Sequence, residues 1–342
     1  MKVAITGYNS CCFNYSGGVQ VRIKKIYELL SQREDIDVEY FHPMETDINS
    51  IDVLHLFKLE PEYFSLVKKA KSKGVKIVIS SIVPLNSGFK IDLYRYIINK
   101  LPILTSYKML FNILSLVDKI IVETHEELNF IAKHFGVKSQ KMAIIPNGID
   151  EMAYEGEEIY EIIGGKKDYV LHVGRIDANK NQLSLIKALK NTNIDVVFIG
   201  GDDSVNFSYV NKCLDLVEGD PYFHFLGWID SKSVILKSAY SKAKVFAFPS
   251  YQETFGLALL EAAVSGCNIA LSNTLPIHDF HVFDDAYLFN PRDVDDIRSK
   301  VLTAFNAPLN KNIKESVIKT FSWGKVIDEH IKIYSRLYEI KK

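Results

Sequence analysis

Tyr169-Val170-Leu171-His172-Val173-Gly174-Arg175-Ile176-Asp177-Ala178-Asn179-Lys180-Asn181-Gln182 is the stretch on which the architecture turns. A short apolar run stops at a glycine, a polar loop follows, and an amphipathic segment over 182–190 reads as a helix. The pattern restarts at once. Apolar runs recur at 195–199, 222–226, 244–248 and 268–271, each followed by a loop and an amphipathic segment. Upstream, the same alternation begins with runs at 3–6, 38–41, 53–56, 76–80, 119–122 and 142–145. Strands that are apolar throughout and interleaved with helices predict parallel sheets covered on both faces. With 342 residues and roughly 100–200 residues per domain, two doubly wound α/β domains are expected.

Pro146-Asn147-Gly148-Ile149-Asp150 is a turn-forming exit from a strand, and a polar, acidic stretch follows it to about 167. Residues 1–160 are therefore assigned to an N-terminal domain and 161–322 to a C-terminal one, with a cleft expected between the carboxyl ends of the two sheets. Thr124-His125-Glu126-Glu127 has capping-box spacing and predicts a helix running to about His134. Residues 323–340 carry Val326, Ile327, Ile331, Ile333, Tyr334, Leu337 and Tyr338, an amphipathic spacing that places the last helix on a surface.

Composition narrows the function classes. Apolar residues make up 47% and charged residues 24%, which excludes disordered, collagen-like and coiled-coil chains. Forty-one basic and 42 acidic residues leave a net charge of −1, so no global field recruits nucleic acid or a membrane. The four cysteines, Cys11, Cys12, Cys213 and Cys267, lack CxxC or metal-site spacing, which argues for a reducing compartment. No signal peptide is read at the start, and no apolar stretch approaches the ~18 residues of a membrane span. A soluble, cytoplasmic protein is expected.

Chemistry concentrates in Phe248-Pro249-Ser250-Tyr251-Gln252-Glu253-Thr254-Phe255-Gly256-Leu257-Ala258-Leu259-Leu260-Glu261-Ala262-Ala263. A strand ends there and a helix is expected to begin with Thr254 as its N-cap. Phe255, Gly256 and Leu257 would then be the first turn, whose N–H groups lack intrahelical partners and suit an anion; Gly256 would let a phosphate come close. The helix is apolar all round and hence buried, so Glu261 must be satisfied either by a core cation or by ligand hydroxyls. Glu253 precedes the helix, where its charge competes with a phosphate, so it better suits a neutral part of a ligand. Arg175 and Lys180 share one loop at a strand end, where they either clamp a diphosphate or stay solvated. Gly17 and Gly18, before a helix over 20–30, allow backbone to approach a ligand. The GxGxxG, GxxxxGK[ST] and GxSxG patterns and metal-ligand spacings are absent, which weighs against dehydrogenase, P-loop, acyl-transfer and zinc chemistry.

With these motifs in this order, nearly the whole chain resembles the retaining glycosyltransferases of family 4, which have the GT-B fold. The paired glutamates Glu253 and Glu261 carry the resemblance furthest. Gly17-Gly18, Ile145-Pro146-Asn147-Gly148-Ile149-Asp150, Val173-Gly174-Arg175 with Lys180, Phe225-Leu226-Gly227 and Phe321-Ser322-Trp323 support it. The resemblance implies a nucleotide-diphosphate sugar donor held mainly by the second domain and no metal or other cofactor. Arg175, Lys180 and the amides of Phe255, Gly256 and Leu257, with Thr254 beside them, would meet the diphosphate. Glu261 would hold the ribose, Glu253 the transferred sugar, and Gly17 and Gly18 would close over the diphosphate. Glu253, Arg175 and Lys180 are thereby the implied catalytic residues, and the last helix would cross back onto the first domain. The acceptor implied is a glycan or glycolipid of surface-polysaccharide assembly.

Many family members carry a His near the end of a middle strand of the first domain. This chain has Ser80-Ser81-Ile82 there. A non-catalytic partner subunit and a nucleotide-sugar epimerase are the alternative readings; a glycosidase fits the neighbouring anion site less well. Residues 89–116 alternate basic with aromatic and aliphatic side chains, which suits either an interfacial surface at the inner face of a membrane or two packed helices parted at Pro102.

Overall fold

The structure is a computed structural model that describes residues 1–7, 18–85, 88–96, 105–151, 156–201 and 207–341. The chain divides into two compact units, Met1–Gly148 with Trp323–Lys342, and Ile149–Ser322.

In the first unit, strands β1 (Lys2–Thr6), β2 (Asp37–Tyr40), β3 (Val53–Phe57), β4 (Lys76–Ser80), β5 (Lys119–Val122) and β6 (Met142–Ile144) form one sheet. Their order is β2-β1-β3-β4-β5-β6, and every pairing is parallel. Alternate residues of the central strands feed two cores. Ala4, Leu54, Leu56, Ile77 and Ile79 face one; Val3, Ile5, Val53, Phe57 and Val78 face the other. Helix α1 (Gly18–Ser31) joins β1 to β2, and α2 (Phe64–Ser72) joins β3 to β4. Two further helices, α3 (Gly88–Tyr96) and α4 (Ser106–Leu116), lie between β4 and β5. Helix α5 (His125–Phe130) runs on into a π-helical turn, Ile131–Phe135, that ends at Gly136.

Thr124 caps α5 as its spacing predicts, accepting the Glu127 N–H at 3.1 Å. The Glu127 carboxylate does not turn back onto Thr124. It accepts from Glu123 N–H at 2.7 Å, Val83 N–H at 3.0 Å and Ser81 Oγ at 2.8 Å, tying the ends of neighbouring strands together. Arg22 of α1 is buried, pairs with Glu123 and donates to the Ile145 carbonyl at 3.2 Å.

The second unit holds β7 (Tyr169–Val173), β8 (Asp195–Ile199), β9 (Phe223–Phe225), β10 (Val245–Phe248), β11 (Asn268–Ser272) and β12 (Tyr287–Phe289). Their order is β12-β11-β10-β7-β8-β9, again all parallel. Its helices are α6 (Glu158–Ile162), α7 (Gln182–Leu189), α8 (Phe207–Val217), α9 (Val234–Lys242), α10 (Leu257–Ser265), α11 (Val294–Asn306) and α12 (Asn312–Phe321). Strand β12 is not among the apolar runs read from the sequence: Tyr287-Leu288-Phe289 is a short run between Asp284-Asp285-Ala286 and Asn290-Pro291.

The last helix, α13 (Trp323–Lys341), belongs to the first unit, where Trp323, Val326, Ile327, Ile333 and Tyr334 enter the core beside α1. Both ends of the crossing are tightly fixed. A Cβ on Gly148 would sit 2.2 Å from the Trp323 ring, and Ile149 N–H donates to the Phe321 carbonyl at 2.8 Å. The first unit therefore ends at 148 rather than at the 160 read from composition. Polarity misled there: Ile159 and Ile163 of the acidic stretch lie in the second unit's core, and Ile159 N–H donates to Ser238 Oγ at 3.0 Å.

Candidate functional site

In the second sheet, β7 stands between β8 and β10, so the chain winds outward in one direction through β9 and in the other through β12. Loops leaving the carboxyl ends of β7 and β10 part there, and such a reversal point is where open α/β sheets place ligands. The two loops are stitched together. Tyr251 N–H donates to the Asn179 carbonyl at 2.8 Å, and Asn179 Nδ2 returns a bond to the Gln252 carbonyl at 2.8 Å. Asn181, in the left-handed region at φ 60°, donates through Nδ2 to the Pro249 and Pro291 carbonyls.

This stitching brings together Lys180 and Glu253, one from each loop. Lys180 Nζ lies 2.6 Å from Glu253 Oε1 with only 16% and 12% of the two side chains exposed, and 5.3 Å from the centroid of the Phe248 ring. Arg175 is 67% exposed and its Nη2 lies 3.6 Å from Asp177 Oδ2. Asp177, itself buried, also accepts the Lys180 N–H at 3.0 Å. The two cations thus rise from one short, internally braced loop.

Helix α10 starts two residues later than the sequence predicts. Gly256, not Thr254, is its cap, at φ 95° and ψ 66° with no capping side chain, and Thr254 makes no capping bond. A β-carbon is strained at that φ, which is why glycine stands there. The first turn is accordingly Leu257, Ala258 and Leu259, so Phe255 lies before the helix. Its ring is buried edge-on against Phe280 and Phe321, anchoring the loop. Unpartnered N–H groups at such a terminus still present a positive end for an anion.

Glu261 projects from the otherwise apolar middle of α10. No cation lies within ion-pair reach of it among the described residues; instead Tyr240 on α9 donates to its Oε2 at 2.8 Å. Burial pushes its carboxyl above the usual carboxylate range, and the Tyr240 hydroxyl pulls the other way. A carboxylate held this way keeps further acceptor capacity for ligand hydroxyls.

Three residues that the motifs did not single out complete the site. Tyr240 left no mark because it reads as one more apolar residue of α9. His172 is buried inside β7; its Nδ1 donates to the Ala247 carbonyl at 2.9 Å and its Nε2 lies 3.1 Å from Gln182 Nε2. Gln182 Nε2 also donates to the Arg175 carbonyl at 2.8 Å, so His172 and Gln182 fix the start of the cation loop from below. A histidine in the middle of an apolar strand was the signal available. Burial pushes its imidazole down to about 4.

Gly18 opens α1, while Gly17 lies outside the described residues, as do Cys11 and Cys12. Ser80 and Ser81, where the resemblance called for a histidine, are buried and engaged: Ser80 Oγ lies 2.9 Å from His55 Nε2, and Ser81 Oγ donates to Glu127.

Residues 159–320 match the model of the family described as glycosyl transferases group 1. The sulfoquinovosyl transferase SQD2 of Arabidopsis thaliana is 34% identical over 144 residues, 40% of this chain and 26% of that protein. An uncharacterized glycosyltransferase of Methanocaldococcus jannaschii, MJ1607, is 26% identical over 60% of this chain and 57% of its own length. From Campylobacter jejuni, N-acetylgalactosamine-N,N'-diacetylbacillosaminyl-diphospho-undecaprenol 4-alpha-N-acetylgalactosaminyltransferase is 22% identical over 65% of this chain and 58% of its own length. The chain thus covers between 26% and 58% of the length of these relatives.

Among solved structures, Anabaena Alr3699/HepE in complex with UDP superposes with a TM-score of 0.75 at 15% identity, covering 98% of this chain and 100% of that one. Sucrose-phosphate synthase from Thermosynechococcus elongatus gives 0.72 at 17% identity, covering 99% of each chain. The two parallel six-stranded sheets with flanking helices are the GT-B fold, shared with these structures.

Proposed function

We propose that this chain is a retaining, metal-independent glycosyltransferase of the family 4 type, moving a sugar from a nucleotide-diphosphate donor to a glycan or lipid-linked acceptor of surface-polysaccharide assembly. The observation that carries the reading is the convergence of Lys180 and Glu253, 2.6 Å apart at the sheet's reversal point, on the loop that leads into α10. A relative that acts on a diphospho-undecaprenol-linked sugar and a fold neighbour bound to UDP agree with it.

In this reading, Arg175 grips the diphosphate with its fork, Lys180 adds a point charge, and the Gly256–Leu257 amides complete the anion site. Glu261 takes the ribose hydroxyls through the oxygen positions that Tyr240 leaves. Glu253 takes sugar hydroxyls while Lys180 keeps its charge balanced. As the bond from the anomeric carbon to phosphate oxygen breaks, the departing diphosphate gains charge, and these fixed groups stabilise it without reorganising. The acceptor hydroxyl attacks on the face the leaving group vacates, its proton passing to a diphosphate oxygen, so configuration is retained and no protein nucleophile is needed.

A thermal-shift panel of UDP, GDP and ADP, followed by mass-spectrometric transfer assays with a membrane-lipid extract, tests this. One nucleotide should raise Tm, transfer should survive EDTA, and NMR of the product should show the donor's anomeric configuration. Absence of stabilisation by every nucleotide, or transfer abolished by the chelator, would overturn it. The exposed Phe89 and Leu93 on α3, with Lys90 between them, give the acceptor side an interfacial face. Flotation with anionic liposomes that is lost in Phe89→Ser checks that part.

A further inference from the structure

The first sheet has its own reversal point, between β1 and β3, because the chain leaves β1 toward β2 and leaves β3 toward β4. Right-handed crossovers put α1 and α2 on opposite faces there. A cavity of about 1060 Å3 opens at that place, wholly within the first unit. That exceeds the ~300–1,000 Å3 of ordinary small-molecule pockets, so an isolated inorganic anion would leave nearly all of it unfilled.

The lining has two chemistries. Ile5, Ile23 and Tyr63, all buried in the fold, form apolar floor, and Leu66 adds to the wall. Lys24 from α1 and Lys69 from α2 reach it from the two faces, with Glu62 as the one carboxylate among the lining residues. Both lysines are exposed, and neither has an ion-pair partner among the described residues. Exposed apolar side chains border the mouth. Tyr40 itself lines it, stacked on Tyr27 at 4.2 Å, and Met44 is 89% exposed between the lining residues Pro43 and Thr46. Exposed apolar surface gathered at a cavity mouth marks a binding site more often than isolated exposure does.

We propose that this crevice binds a phosphate-bearing amphiphile: an apolar chain lies on the Ile5–Tyr63 floor and its phosphate or diphosphate sits between Lys24 and Lys69. Two point cations suit a group that carries roughly −1.5 to −2 charge near neutrality. A lipid-linked acceptor has this chemistry, and that role rests on the reading above, whereas the binding itself does not.

Calorimetric titration of the full chain with farnesyl phosphate, farnesol and inorganic phosphate separates the sources of the chemistry. Farnesyl phosphate should bind at least tenfold more tightly than either of the other two. The double variant Lys24→Glu/Lys69→Glu, both changes at exposed positions, should lose at least tenfold in farnesyl phosphate affinity and keep its circular dichroism and melting temperature. Farnesol binding as tightly as farnesyl phosphate, inorganic phosphate doing so, or an unaffected double variant would each overturn the proposal. If farnesyl phosphate binds through the lysines while no nucleotide binds at all, the crevice stands and the glycosyltransferase reading falls.

Discussion

Lys180 and Glu253 are 73 residues apart in the chain and 2.6 Å apart in space, whereas Arg175 extends from the same loop with most of its side chain in water. Substitutions at the two cations should therefore differ in kind. Arg175→Ala removes an exposed group, so its melting temperature should stay put while UDP affinity falls by about 10- to 100-fold, the loss of one charge-assisted contact of roughly 1.5–3 kcal/mol. Lys180→Ala should weaken UDP comparably and also lower stability by about 1–3 kcal/mol, since Glu253 is left mostly buried without its partner. Equal melting temperatures in the two variants would contradict the ion pair. His172 supplies a pH test. Its imidazole titrates at about 4 in the fold against an ordinary value of ~6.5 in the unfolded chain. Between those values only the unfolded chain takes up the proton. The His172 contribution to stability should therefore fall as pH drops below ~6.5, by up to about 1.4 kcal/mol per pH unit, and level off below 4, on top of a slope of the same sign from buried His55 and His330. Urea unfolding at stepped pH should show the overall slope between pH 4 and ~6.5 reduced by that share in His172→Gln. Residues such as Arg175, Lys180, Glu253 and Glu261 were legible because charge at a strand end or in an apolar helix is conspicuous. Tyr240 and Gln182 were not, because their work is a hydrogen bond to a partner from another segment.

At the scale of elements, strands announced themselves more clearly than helix starts did. β4, β5, β7 and β8 begin and end where their apolar runs do, since a strand buried on both faces favours apolar residues at successive positions. The start of α10 was misplaced because Thr254 has cap chemistry, yet burial of Phe255 forces the turn to close at a glycine instead. The ends of β7 and β8 show a constraint that no cap rule contains. Gly200 has φ 151°, its N–H donates to the Gly227 carbonyl at 2.8 Å, and a Cβ there would meet the Gly174 carbonyl oxygen at 1.9 Å. Gly174 in turn carries Arg175. Gly200→Ala should thus push the cation loop away from its neighbour strand, costing about 3 kcal/mol or more and abolishing measurable UDP binding. Gly266→Ala has φ 89° but open space around its Cβ, so it should cost only about 1–2 kcal/mol and leave UDP affinity intact. Guanidinium melts with UDP titrations on both variants separate steric collision from backbone strain.

At the scale of the molecule, the division of labour between the units can be tested by cutting the chain. Every donor-side residue placed in the reading above, except Gly17 and Gly18, belongs to Ile149–Ser322, which has its own sheet and its own cores. The fragment 149–322 should fold alone and bind UDP within about tenfold of the full chain, consistent with loss of no more than one contact of ~1.4 kcal/mol. It should transfer no sugar. The fragment 1–148 should behave otherwise. Without α13 it lacks Trp323, Val326, Ile327, Ile333 and Tyr334 from a core that also holds Val3 and Ile5, and it loses the 2.7 Å bond between Tyr334 and His55. Five buried side chains at about 1.5–3 kcal/mol each amount to roughly 7–15 kcal/mol, as much as the whole stability of a typical domain. Circular dichroism should show 1–148 unfolded or molten, and adding the peptide 323–342 should restore a cooperative melt. Amphipathic spacing alone made the last helix a surface element, and the resemblance returned it to the first domain; its burial partners show that it is a structural part of that unit. A cooperative transition in 1–148 without the peptide would mean that α13 merely decorates that unit, and failure of 149–322 to bind any nucleotide would mean that the donor site needs residues from outside its own fold.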